Sequence, residues 1–209
     1  MMRVLYSFLI ILSGNLSICS QNLIPNPGFD KLVQCPDAYS QIDFTAYWTS
    51  ASNGTPDLYH ACANAIGLQV PNAGIHPDSY QEAKSGMGYV GIYVYSNIQN
   101  GSGNSEYLQS PLTETLKAGH TYFISFEVSP DLSANNYWRY TDGIGLAFSD
   151  SFFYQNLTGQ QAIALEVVVN NPLGFIQDTN TWTRISDCYT ANGTEQFAII
   201  GNFQSTEAT

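Results

Sequence analysis

Apolar and polar residues alternate along much of the chain with a period of two, which is the period of a strand that buries one face. Residues 121–129 put Tyr122, Ile124, Phe126 and Val128 inward against Ser125 and Glu127 outward, and Ile144, Leu146 and Phe148 repeat the pattern. In residues 87–95 both faces carry information: Val90, Ile92 and Val94 fall on one side, Tyr89, Tyr93 and Tyr95 on the other. Shorter strands are predicted at 44–49, 106–109, 163–169 and 175–177. Another is predicted at 22–30, where two prolines suit an edge or entry position.

The most explicit local signal is the stretch 182–203, two apolar runs joined at Asn192-Gly193. Asn-Gly tolerates the positive φ of a two-residue hairpin turn, so the stretch is expected to fold back on itself. That register sets Trp182 opposite Phe203, Cys188 opposite Phe197 and Ser186 opposite Ile199 on a core face, with Ile185, Asp187 and Tyr189 on the outer face. The 196–203 strand is then expected at a sheet edge, open to pairing with another chain if the domain is truncated at Thr209.

No segment keeps a helical period over a dozen residues, although 151–165 has room for one short helix. Residues 31–83 are rich in Pro, Gly and Asn and read mostly as loops. Strands at regular spacing with turn residues between them predict an all-β fold, a sandwich of two antiparallel sheets. One domain is expected over 21–209. Residues 1–20 precede it with Arg3, an apolar run over 4–12 and a small polar end, the layout of a secretory signal peptide. That run is too short to span a bilayer. Ile18 in front of Cys19 disfavours a lipid anchor there.

Charge narrows the partners. After such a cleavage the five remaining Lys and Arg stand against 17 Asp and Glu, a net charge of −12, which repels nucleic acid. Of the cysteines, Cys35 and Cys62 lie in the loop-rich first third and are expected to form a disulfide. Cys188 is expected to stay reduced, buried in the hairpin's core face.

The run Asn22-Leu-Ile-Pro-Asn-Pro-Gly-Phe-Asp30 resembles the opening of galactose-binding-like and carbohydrate-binding-module jelly rolls. Pro111-Leu112 through Leu116-Lys-Ala-Gly-His-Thr-Tyr-Phe-Ile-Ser-Phe126 resembles their central signature. Together with Cys35-Pro36, Thr55-Pro56-Asp57, Cys62, Val70-Pro71-Asn72, Glu106-Tyr107-Leu108 and Gly201-Asn202-Phe203, the set is similar to an uncharacterised jelly-roll domain. That domain occurs in secreted and outer-membrane-associated proteins of gliding bacteria, often ahead of a peptidoglycan-binding domain. The resemblance implies a two-sheet jelly-roll sandwich, a structural calcium held in part by Asp30, a further strand after Gly-Asn-Phe and an envelope-anchoring domain in a longer product.

Motifs for catalysis are weak. Gly86-Met-Gly88-Tyr-Val-Gly91 matches a dinucleotide fingerprint, but a strand follows it where a helix is needed. Asp57, His60 and Cys62 lack metal-ligand spacing and read as a solvated loop. Gly101-Ser102-Gly103 lacks the flanks of a nucleophile elbow, and no carboxylate pair stands out for glycoside hydrolysis. Aromatic residues are better candidates, since sugar rings stack on Tyr and Trp. Tyr137, Trp138 and Tyr140 crowd one loop, and Tyr89, Tyr93 and Tyr95 line one strand face, whereas Trp48 and Trp182 read as core. The expectation is a non-catalytic extracellular or cell-surface module, not an enzyme, that binds glycan or another envelope component. The alternative is a structural or adhesive spacer without a small ligand, and behind both stands a carbohydrate-active or ester hydrolase.

Overall fold

The computed structural model describes residues 21–71, 80–94, 105–130, 142–158 and 161–204. Nine strands make up almost all of its regular structure: β1 Thr49–Ser50, β2 Asp57–His60, β3 Gly88–Gly91, β4 Leu108–Pro111, β5 Thr121–Val128, β6 Ile144–Ser149, β7 Val167–Asn170, β8 Thr183–Thr190 and β9 Phe197–Asn202. The other element is a 3-10 turn at Ile42–Phe44, and the described residues of 151–165, which have room for a short helix, form none. Residues 22–30 make bends and turns where a strand is expected, and 175–177 is also irregular. The chain is an all-β antiparallel sandwich, as the period-two pattern predicts.

One layer is a continuous five-stranded sheet in the order β1-β4-β9-β6-β7. The facing layer consists of two separate antiparallel ladders, β2-β3 and β5-β8. Ile124, Phe126 and Val128 of β5 and Ile185 of β8 pack against Ile144, Leu146, Val169 and Ala198 of the large sheet. Val90 and Ile92 cover Trp48, Leu108 and Ile200 in the same way. The other face of the large sheet is also covered, by Leu157, Ile163 and Phe153 over Tyr107 and Ile199. Two side-chain amides, buried Gln109 and half-buried Asn53, fix that cover. Gln109 donates to Phe153 O at 2.8 Å and accepts its N–H at 3.1 Å, while Asn53 does the same for Leu157 at 3.1 and 2.8 Å. Tyr107 lies under Gly201, where any Cβ would come within 2.2 Å of the ring, and its hydroxyl donates to Asn202 O.

Three sequence expectations change here. The stretch 182–203 is not a hairpin: β8 pairs with β5 in one layer and β9 pairs with β4 and β6 in the other. The reason is Glu195, a buried carboxylate that accepts the N–H groups of Asn192 (2.8 Å), Gly193 (2.9 Å) and Thr194 (2.9 Å) and the Tyr189 hydroxyl (2.5 Å). With its donors satisfied by a side chain, the turn need not close a ladder, and the two strands part into different layers. The inward face of β8 is therefore the Ile185 face. Cys188 is exposed on the outside opposite Phe123, itself 68% exposed, rather than buried beside Phe197. Finally, β9 is not an edge strand, since it is hydrogen-bonded on both sides.

Cys35 and Cys62 form the disulfide that their loop positions predict. No helix among the described residues is long and apolar enough to cross a membrane.

Candidate functional site

The β2 strand reads Asp-Leu-Tyr-His and buries Leu58 and His60, which turns Asp57 and Tyr59 to the outer face. Its partner β3 puts Tyr89 directly opposite Tyr59 and Gly91 opposite Asp57. The Tyr59 and Tyr89 rings stack with centroids 5.2 Å apart and planes 22° apart. Trp182, at the start of β8, meets Tyr89 edge-on at 5.5 Å. Its indole N–H donates to Glu82 O at 2.8 Å, which fixes the ring across the gap between the two ladders. Gly91 completes the arrangement, because a Cβ there would lie 2.8 Å from Tyr59 Cε2; only a bare backbone lets the tyrosine lie across it.

The strip Trp182–Tyr89–Tyr59 therefore has two electrostatically different ends. At the Trp182 end, Arg184 and Lys84 both pair with Glu127, at 2.8 and 3.5 Å, and Glu82 accepts the Tyr80 hydroxyl at 2.9 Å. At the Tyr59 end, Asp57 Oδ1 accepts the Ser40 N–H at 2.6 Å. Behind it lies Glu106, 4% exposed, whose two oxygens accept the N–H groups of Thr55 and Tyr93, each at 2.8 Å. Burial pushes the Asp57 carboxyl up against the pull of Ser40, and pushes Glu106 up as well, with the charge of Asp57 adding to the effect.

Of the residues singled out in the sequence, Tyr89 is in the strip. Tyr93 is 70% exposed while its neighbours Ile92 and Val94 point to the core. Tyr95, Tyr137, Trp138 and Tyr140 lie outside the described residues. Asp30 Oδ1 accepts the Met87 N–H at 2.7 Å, packed against Gly86 in a left-handed turn. No group of three His, Cys, Asp or Glu side chains placed to hold a metal occurs among the described residues. Asp57, His60 and Cys62 are not a solvated loop. They start, end and follow a strand, and buried His60 accepts the Cys62 N–H at 3.1 Å. Trp182 is not core but half-buried in the strip, and Tyr59 carried no signal beyond the brief polar-apolar alternation of Asp57-Leu58-Tyr59-His60.

Fold and site together define a jelly-roll sandwich with an aromatic strip on the outer face of its divided layer. A solved structure with a similar fold is the Stig cyclase Fisc from Fischerella sp. TAU in complex with (3Z)-3-(1-methyl-2-pyrrolidinylidene)-3H-indole. The likeness covers 88% of this chain and 89% of that one, at 15% identity and a TM-score of 0.51. It is a likeness of fold, and it corrects one expectation: a neighbour in this architecture is an enzyme, so the reading of the chain as no enzyme is overturned. No family model matches the chain, and no curated protein matches it.

Proposed function

We propose that this chain is a ligand-binding jelly-roll domain that works outside the cell or on its surface and takes a glycan of the envelope or its surroundings on the Trp182–Tyr89–Tyr59 strip. The observation that carries the reading is the contiguity of three rings across two ladders, held by the Trp182–Glu82 hydrogen bond and by the missing side chain at Gly91. Half-buried rings of this kind turn their outer faces and edges to the C–H faces of sugars. The polar groups around them, Glu82, Arg184 and Asp57, can bond to hydroxyls. The extracellular setting is supported by the Cys35–Cys62 disulfide, which persists where thiols are oxidised, and by the signal-like layout of residues 1–20.

A glycan array followed by calorimetry on the purified protein tests the reading. Trp182→Ala is expected to weaken the best glycan about tenfold with the fold retained, the loss of about 1.4 kcal/mol of ring contact. Unchanged affinity would remove the strip from consideration. Recovery of the ligand after incubation separates the two modes of action, since a bound glycan returns intact and a substrate returns altered.

A further inference from the structure

The two ends of the strip differ in charge, and that difference specifies a ligand. We infer that the strip selects a cationic sugar, one whose ring carries a free ammonium group, and that Asp57 receives that ammonium beside the Tyr59 ring. The inference rests on the glycan reading above and names the class of glycan.

Asp57 and Tyr59 are two residues apart on one strand, so their side chains leave the same face about 7 Å apart along it. The Tyr59 ring closes part of that distance by lying over Gly91, the residue paired with Asp57. The carboxylate is held in place by a backbone donor, Ser40 N–H at 2.6 Å, rather than by a cation. Among the described residues no Lys or Arg makes an ion pair with Asp57 or Glu106, and Lys84 and Arg184 are both engaged by Glu127 at the opposite end. The protein as a whole carries a formal charge of −11, so its field favours a cationic ligand and disfavours an anionic one. A tyrosine face attracts an ammonium through its quadrupole, and a fixed carboxylate on the same side reinforces that attraction. A neutral sugar uses the rings and leaves Asp57 without a cation; an amino sugar uses both.

Oligomers of β-1,4-linked glucosamine and of N-acetylglucosamine separate these cases, because they share ring and linkage and differ in charge. The glucosamine hexamer is expected to bind about tenfold more tightly than its acetylated counterpart at low salt, with the advantage shrinking as salt is raised. Asp57→Asn keeps an oxygen for Ser40 N–H and is expected to erase the advantage while leaving the weaker binding of the acetylated hexamer in place. The salt series on the unaltered protein gives a second readout that needs no variant.

Equal affinities for the two hexamers, or a preference that survives Asp57→Asn, overturn the inference. So does competition by spermine at the same affinity as the glucosamine hexamer, because the site would then read charge without a ring. If a neutral glycan binds in a Trp182-dependent way while the glucosamine hexamer does not, the glycan reading stands and only its cationic form falls. If no glycan binds, both fall together.

Discussion

The two layers of the sandwich solve the same packing problem by different means. In the five-stranded layer every neighbouring strand pair is joined by backbone hydrogen bonds, and buried side chains cover both faces. Among the described residues the facing layer breaks into two ladders, and what spans the break is side-chain chemistry: Trp182 against Tyr89, Trp182 N–H to Glu82 O, and Lys84 on Glu127. A backbone ladder leaves no room for specificity, because every residue offers the same donor and acceptor. A gap bridged by side chains is where sequence can place rings and charges, and there the strip lies.

Substitutions in each layer test this contrast. The largest effect is expected at the centre of the continuous sheet, where Ile199→Ala should cost about 3 kcal/mol in urea unfolding, since Ile199 is fully buried and its neighbours are held by amide bridges. Glu195→Gln should cost about 2 kcal/mol, because a charged acceptor shared by three N–H groups and a hydroxyl becomes a neutral one. Glu195 also gives a pH signature. Burial alone would push its carboxyl up, but the Tyr189 hydroxyl and the N–H groups of Asn192 and Gly193 outweigh that and hold it below the ordinary glutamate value. A depressed folded pKa means stability that is present above the unfolded value and lost as pH falls through the folded one. Acid unfolding of Glu195→Gln should therefore show a shallower dependence over that interval than the parent.

Effects in the divided layer are expected to be smaller on stability. Trp182→Ala should cost about 1 kcal/mol by thermal unfolding, despite its tenfold effect on ligand. Arg184→Ala, which opens an exposed pair, should stay within about 0.5 kcal/mol. A cost at Trp182 equal to that at Ile199 would mean that the divided layer is as tightly coupled as the continuous one. Alkylation of Cys188 in the native state, followed by mass spectrometry, should run to completion with almost no change in stability; protection from the reagent would show that the outer face of β8 is covered.

How far the sequence disclosed this structure depended on the range of the signal. The Tyr122, Ile124, Phe126 and Val128 face was legible because alternation is a property of one strand and its cover. The Cys35–Cys62 bond was legible because only those two cysteines share the loop-rich third. The Asn192-Gly193 turn misled because a positive φ at Gly193, here +98°, serves a hairpin and a crossing between layers equally well. What decided between them was whether Glu195 would be buried under the turn, and that depends on residues 116–120 arriving from elsewhere to pack and hydrogen-bond against it. The site was half legible for the same reason: Tyr89 stood out on its own strand, while Tyr59 and Trp182 become neighbours only when three separate segments meet.

The position of β9 has a consequence in time as well as in space. Among the described residues it is the last strand in chain order and the middle strand of the five, joining β4, about 90 residues earlier, to β6, about 50 earlier. On a ribosome the earlier strands emerge with their central partner still unmade, and β1-β4 and β6-β7 have no means of becoming one sheet. Closure of so many distant contacts is entropically slow. Until it occurs, both of those fragments present unpaired edges to whatever is near. Refolding should thus be limited by the docking of residues 197–202, and a stalled chain ending short of them should be the form most in need of a chaperone.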